Sequence, residues 1–235
     1  MLPDDETLKY LSLSAFHIPP LFHTDLTAFL PLFEQCGTVQ HFAKKDVLLP
    51  LDQQTETVHI LKSGIVLESS SNANGLEKGV LYFPSYPIAF FAAIHQQPTV
   101  YTVTAFTDLC VVSLCYEQYL QLMQENRALL EASLRFIGFD SRNANAAILQ
   151  NCSCSTVEKI YQAIYAYHLG CQHYPPLREV KLTQNLLATL SGVHRTSVAH
   201  VIKDLKEQEI ISLEKKELQV LKPHILKDMA FSNLL

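Results

Sequence analysis

The spacing of apolar and polar residues changes twice along the chain. From residue 37 to residue 114, short β-branched and aromatic runs alternate with polar or Gly/Pro clusters, a pattern that predicts strands and turns. The runs are FAKKDVLLPL, TVHILKSGIVLES, KGVLYF, PIAFFAAI, TVYTVTAF and LCVVSL. Their spacing predicts an antiparallel roll or sandwich of about eight short strands. The preceding segment HTDLTAFLPLFEQC predicts a short helix.

A helical spacing of apolar residues begins at Tyr116 and continues to about Asn151. One register within it repeats every four and three residues, as in the a/d positions of a coiled coil. This register, called the seam below, consists of Leu130, Leu134, Ile137, Ser141, Ala144, Ile148 and Asn151. It predicts a long helix that pairs with a second copy of the chain. The alternative is one wide apolar face packed inside its own subunit.

The C-terminal third predicts a pair of short helices followed by a hairpin. Residues 156–169 have helical spacing that ends at Gly170, and residues 171–177 are predicted to be loop. Helical runs at residues 184–190 and 194–208 are joined by a turn that contains Gly192, which is typical of a helix-turn-helix. The runs IISL and LQVL then predict a β-hairpin, the wing of a winged helix.

The second helix of this pair begins with polar side chains, where a recognition helix meets base edges in the major groove. Arg195 is the expected base-specific contact, bidentate to guanine. Lysines at the tip of the hairpin are expected to contact phosphate, although a solvated turn explains them equally well. The predicted DNA-binding residues are Thr183, His194, Arg195, Thr196, Ser197, His200, Lys203, Lys215 and Lys216.

Composition and charge refine this division of the chain. With 48% hydrophobic and 17% charged residues among 235, the chain is globular and long enough for two domains. The net charge of −5 argues against a general polyanion binder. However, there are 10 basic and 8 acidic residues from Cys152 onward, against 8 and 15 before it. An acidic N-terminal part thus precedes a mildly basic C-terminal part.

We expect a cytoplasmic protein with no membrane partner. The longest apolar run, residues 79–94, contains two prolines and is shorter than a membrane helix requires. The opening MLPDDETLKY is acidic where a secretory signal is basic.

The order of roll, seam helix and winged helix, with LTQNLLATLSGVHRTSVAHVIKDLKEQEII in the last part, resembles the CRP/FNR family of bacterial transcription factors over residues 21–225. The matching positions include Gly192, Arg195 and the apolar residues Val198, Ile202 and Leu205. Within the family, the chain is most similar to the halorespiration regulators, which sense chlorinated aromatics.

The resemblance implies an α+β fold: an N-terminal antiparallel β-roll of the cupin-like jelly-roll type, a long dimerisation helix and a C-terminal winged helix-turn-helix. The expected domains are residues 1–116 (N-terminal helix and effector-binding roll), 117–154 (dimerisation helix and hinge) and 155–235 (DNA binding). The implied protein is a homodimeric, effector-responsive regulator and not an enzyme. It would read a palindromic operator in double-stranded DNA and contact RNA polymerase if it is an activator.

The roll departs from the family pattern where other members bind cyclic nucleotides. No arginine lies between Lys78 and Arg127, so a buried phosphate would lack its charge partner. Only Cys36 stands where the iron-sulfur members have a cysteine cluster, and we expect neither metal nor cofactor. A lysine that holds the phenolate in the halorespiration regulators aligns with Phe90, which favours a neutral ligand.

Apolar and aromatic residues in this part of the roll predict a small apolar or aromatic effector of unknown identity. The alternative is that the rings simply fill the core. The predicted effector-binding residues are Tyr82, Ile88, Ala89, Phe90, Phe91, Thr99, Val100, Tyr101, Ala144 and Asn145.

Two other functions remain as alternatives. One is a regulator of the same fold that senses redox state through Cys36, Cys110, Cys115 or Cys171. The more distant one is a metal enzyme on a cupin-like roll, for which the scattered histidines His41, His59 and His95 are poor candidates.

Overall fold

The chain forms two antiparallel sheets followed by helices and a terminal hairpin in a computed structural model that describes residues 16–17, 26–214 and 217–231. This confirms the predicted fold class. The strands are β1 Phe16–His17, β2 Thr38–Phe42, β3 Val47–Leu49, β4 Thr57–Ser63, β5 Val66–Ser71, β6 Glu77–Tyr82, β7 Pro87–Ile88, β8 Thr102–Ala105, β9 Leu109–Cys115, β10 Ile211–Glu214 and β11 Glu217–Val220. One sheet has the order β1-β6-β5-β8-β3, the second β2-β9-β4-β7, and the third is the hairpin β10-β11.

Eight α-helices are described in these residues. They are α1 Leu30–Cys36, α2 Phe90–His95, α3 Tyr116–Glu125, α4 Arg127–Ser153, α5 Thr156–His173, α6 Gln184–Ser191, α7 Arg195–Glu207 and α8 Pro223–Phe231. Short 3₁₀ helices cover Leu26–Phe29 and Pro175–Glu179. No described helix has both the length and the apolar character needed to cross a membrane.

The strand predicted for PIAFFAAI is wrong over most of its length. Only Pro87–Ile88 pairs in a sheet, and Phe90–His95 forms helix α2. Left-handed residues bound this helix, Ala89 at φ 63° and Gln96 at φ 51°. When a short apolar run is buried on several sides, the spacing of its apolar residues does not distinguish a strand from a helix. The choice was therefore decided by packing, which buries Phe90.

The long helical stretch is also divided differently from the prediction. Helices α3 and α4 are separate because the chain is extended at Asn126, whose side-chain oxygen accepts a hydrogen bond from the Leu129 N–H at 3.1 Å. That bond caps the start of α4. Helix α5 continues past the predicted stop at Gly170 to His173, and Pro175–Glu179 is a 3₁₀ helix where a loop was predicted.

The described residues form two compact units. The first comprises residues 17–70 and 81–141, and its core includes a cluster of interlocking rings. Phe90 contacts the rings of Tyr119 and Phe136 edge-on, at centroid distances of 5.4 and 5.6 Å. Phe136 belongs to α4 and Phe90 to α2, so these contacts pack the first half of the long helix against α2 within this unit.

The second unit comprises residues 71–80 and the chain from Arg142 onward. Helix α5 lies at its centre and begins with a capping box in which the Ser155 and Glu158 side chains bond each other's backbone N–H groups. The buried Gln162 amide donates to the Ala230 carbonyl of α8 at 2.7 Å. Tyr165 packs edge-on against Phe231 at 5.9 Å. The predicted domain boundaries stay a prediction.

Candidate nucleic-acid interface and roll cavity

Helices α6 and α7 meet at a turn whose geometry is set by two residues. Thr183 caps α6, because its hydroxyl oxygen accepts a hydrogen bond from the Leu186 N–H at 3.2 Å. Gly192 ends the helix in the left-handed conformation at φ 66°, and the Val193 N–H then donates to the Ala188 carbonyl at 3.1 Å. The chain is thereby turned for α7 to begin at Arg195.

Helix α7 presents the predicted contact residues on its exposed side. Its buried side consists of Val198, Val201, Ile202 and Leu205. The His194, Arg195, Thr196, His200 and Lys203 side chains are exposed, and that of Ser197 is half-buried. His194 forms no side-chain cap, which leaves its imidazole free of the helix start. The exposed N-terminal half of α7 therefore has the polarity required of a helix in the major groove.

The hairpin predicted as the wing follows α7 directly. Ile211 pairs with Val220 and Leu213 with Leu218 in an antiparallel register. Lys215 and Lys216, the predicted phosphate contacts, lie outside the described residues, so their role stays a prediction.

Two charged residues that the sequence analysis did not select contact the end of α6. Lys78 donates from its ammonium to the Leu190 carbonyl at 2.7 Å, where the helix dipole is negative. Glu77 accepts a hydrogen bond from the Thr189 hydroxyl at 2.8 Å. Burial, with the nearby charge of Lys159, lowers the pKa of Lys78 to about 8. The first two residues of β6 thus contact the end of the first helix of the pair.

A cavity of about 260 Å³ opens within the first unit and is called the roll cavity below. Its walls come from β5, β6, α2, α4 and the segment before β8. The lining residues are Glu68, Tyr82, Tyr86, Phe91, Ala92, His95, Gln97, Pro98, Thr99, Val100, Tyr101 and Asp140.

Half of the predicted effector-binding residues line this cavity. They are Tyr82, Phe91, Thr99, Val100 and Tyr101. Ile88 in β7, Ala89 and Phe90 are instead buried in the core, where Phe90 joins the ring cluster. Ala144 and Asn145 are exposed on α4 and are not among the lining residues.

The two carboxyl groups of the cavity, Glu68 and Asp140, are not among the predicted effector-binding residues. The Tyr82 hydroxyl donates to Glu68 and the Tyr86 hydroxyl donates to Asp140, both at 3.2 Å. Burial, followed by the charge of Asp140, raises the pKa of Glu68 to about 8. Burial also raises the pKa of Asp140. In the sequence, Glu68 lies in a predicted strand and Asp140 in the predicted long helix. Their being charged residues within elements expected to pack was the one available indication of a site.

The predicted dimer seam is largely exposed in the single chain. Leu134 and Ile148 expose 58% and 60% of their surface, and Leu130 39%. Ser141 and Ala144 are also exposed, whereas Ile137 is half-buried. Large apolar side chains repeated along one helix face are typical of a surface that a partner covers.

The described residues give little support to the metal site and the reactive thiol that the two alternative functions require. His59 is buried and bonds the Ser113 hydroxyl at 2.7 Å, and burial lowers its pKa to about 4. No group of three His, Cys, Asp or Glu side chains suited to a metal ion occurs among the described residues. The six cysteines are free, and burial raises the pKa of Cys171, which disfavours its reactive thiolate.

Comparisons with known proteins agree with the geometry of the second unit. Residues 160–229 match the family model of the Crp-like helix-turn-helix domain. The HTH-type transcriptional regulator ArcR of Staphylococcus aureus is 24% identical over 202 residues, which are 81% of this chain and 82% of ArcR.

Solved structures with the same fold cover nearly the whole chain. TTHA1359, a transcriptional regulator of the CRP/FNR family from Thermus thermophilus, has a TM-score of 0.65 at 19% identity, covering 83% of this chain and all of that one. OCPA-complexed CprK has a TM-score of 0.63 at 15% identity, covering 83% of this chain and 92% of that one. Residues 160–229 are therefore similar to a Crp-like helix-turn-helix domain, and the chain shares the fold of these solved structures.

Proposed function

We propose that this protein is a transcription regulator of the CRP/FNR family: a homodimer that binds a palindromic operator and responds to a small molecule held in the roll cavity. The observation that carries the DNA-binding part is the polarity of α7, whose exposed N-terminal half is polar while its opposite side is buried. Arg195 contacts a guanine, and His194, Thr196, Ser197 and His200 complete the surface that meets the bases and phosphates.

Dimerisation supplies the two-fold symmetry of the operator. The exposed seam on α4 supports it, because pairing would remove the Leu134 and Ile148 side chains from water. Two copies of α7 would then lie about one turn of DNA apart, which predicts the spacing of the half-sites.

The effector part of the proposal is supported by the lining of the roll cavity. Tyr82, Phe91 and Tyr101 offer ring surface to a small apolar or aromatic molecule. Among the described residues, no arginine or lysine lines the cavity, so this lining offers a cyclic phosphate no arginine or lysine partner. We therefore propose an effector that is not a cyclic nucleotide.

A selection of operators from random duplexes tests the DNA-binding part. We expect the full chain to enrich a palindrome, and Arg195→Ala to relax the preference at one base pair of each half-site and to weaken binding by about 1–3 kcal/mol. Arg127→Ala is the matched control, because Arg127 is exposed on α4 and pairs only with Glu131 at the surface. An unchanged sequence preference in Arg195→Ala would contradict the assigned role.

A further inference from the structure

In the part of the chain that the structure describes, the roll cavity has two carboxyl groups and no basic partner for either. Glu68 and Asp140 each accept one hydrogen bond from a tyrosine hydroxyl. Among the described residues, neither forms an ion pair with a lysine, arginine or histidine. Of the described residues that line the cavity, His95 is the one that can carry a positive charge. Its side chain is exposed at the rim.

Without a ligand, two carboxyl groups in one cavity lower the stability of the folded protein. A buried carboxylate without a cation loses its hydration and gains little in return. Two of them in one cavity also repel each other, and that repulsion contributes to the raised pKa of Glu68. Groups kept in this state inside a cavity are typical of binding sites, where a ligand supplies the missing interaction.

The rings of the cavity favour the same kind of ligand. Tyr82 and Tyr86 are stacked on each other, and Phe91 and Tyr101 also line the cavity. The face of an aromatic ring carries partial negative charge and attracts a cation, most strongly where water is excluded. The two tyrosine hydroxyls hold the carboxyl groups in place, so the rings and the carboxyl oxygens surround one volume.

We propose that the effector is a small organic cation: an ammonium group on a compact apolar or aromatic frame, bound between Glu68 and Asp140 with its frame against the rings. This inference rests on the proposed function, because it names the ligand class of the same cavity. An anion such as a phenolate would be repelled by both carboxylates. A neutral aromatic molecule would add no positive charge to balance the carboxyl groups, which accept hydrogen bonds from the two tyrosines.

Calorimetry on the full chain with two isosteric pairs of probes tests the charge directly. The pairs are 2-phenylethylamine with 2-phenylethanol, and choline with 3,3-dimethyl-1-butanol, at pH 8. We expect at least one cation to bind about tenfold or more tightly than its neutral partner, as expected for a desolvated cation with ring and carboxylate contacts. Glu68→Gln and Asp140→Asn should each remove that preference. Glu117→Gln, an exposed carboxylate on α3, should retain it.

The pH dependence gives a second readout. Because the carboxyl group must lose its proton to pair with the ligand, the affinity for the amine should rise about tenfold from pH 6 to pH 7. The groups facing Glu68 are Asp140, Tyr82, Tyr86 and Tyr101, with His95 at the rim. If the affinity of Glu68→Gln for the amine does not change with pH, Glu68 is the group whose titration controls binding. If the affinity of this variant rises with pH as steeply as that of the wild type, another group is responsible, and that result counts against the site.

The outcomes separate this inference from the proposed function. Equal affinity for cation and neutral isostere would overturn the cationic ligand while keeping an effector in the cavity. Absence of heat with all four probes, or a preference that survives both variants, would also overturn it. Failure of the proposed function has its own result, the lack of an enriched palindrome in the operator selection.

Discussion

Glu68 is a carboxyl group that the folded roll buries beside a second acid, so replacing it should stabilise the protein. Glutamine keeps the oxygen that accepts the Tyr82 hydroxyl and removes the charge. The pKa of Glu68 is raised from 4.5 to about 8 by burial and by Asp140. Between these two values the folded chain binds more protons than the unfolded chain, so the contribution of Glu68 to stability falls as the pH rises.

The size of the effect follows from the same shift. Each pKa unit between 4.5 and the working pH corresponds to about 1.4 kcal/mol, which gives a destabilisation of about 3 kcal/mol at pH 7 and below about 1 kcal/mol at pH 5. For a chain of this size, 1 kcal/mol moves the melting temperature by about 2–4 °C. We therefore expect Glu68→Gln to melt about 6–12 °C higher than the wild type at pH 7, with a much smaller gain at pH 5.

Thermal melts followed by circular dichroism at pH 5, 6, 7 and 8 provide the measurement. Glu117→Gln is again the control, and its melting temperature should follow that of the wild type within about 2 °C at every pH. The reasoning would be refuted if Glu68→Gln melted at or below the wild-type temperature at pH 7, or if its gain did not depend on pH.

Two further predictions concern a helix cap and a buried histidine. Thr183→Ala removes the acceptor for the Leu186 N–H and should lower the free energy of unfolding by about 1 kcal/mol, measured by urea denaturation. Because burial lowers the pKa of His59 from 6.5 to about 4, the stability of the wild type should fall by up to about 3 kcal/mol as the pH drops from 6.5 to 4. His59→Asn retains a donor for Ser113 and should flatten this acid loss, measured by melts across that range.

Each of these variants has a matched control. Thr183→Ser keeps the hydroxyl, so a loss equal to that of Thr183→Ala would show that the cap is not the cause. His41→Asn changes an exposed histidine on β2 and should leave the acid loss unchanged. The same flattening in His41→Asn would contradict the assignment to His59.

The helix-turn-helix could be predicted from the sequence because its determinants are local. The Thr183 cap, the left-handed glycine at Gly192 and the apolar spacing of α7 all lie within about 25 residues. Each of them acts through the backbone of its own neighbourhood. The observed helices therefore begin and end within one residue of the predicted runs.

The roll cavity could be predicted only in part because its walls are distant in sequence. Tyr82, Phe91 and Tyr101 were selected as members of an aromatic segment, which is a local property. Glu68 and Asp140 are more than 70 residues apart and share a cavity only after the sheet and α4 have packed. The helix at Phe90–His95 was missed for a related reason, since its apolar residues face neighbours on several sides and show no single period.

Ligand binding in the cavity can also be followed by fluorescence. The chain contains no tryptophan, so a single introduced indole would be the only fluorophore excited at long ultraviolet wavelengths. Phe91 is half-buried, lines the cavity and stacks on Phe136 at 5.8 Å, which makes position 91 a suitable place for that probe. The fluorescence emission of Phe91→Trp would report the polarity of the cavity itself. A ligand that displaces water there would shift the emission wavelength, and no label elsewhere on the protein would be needed.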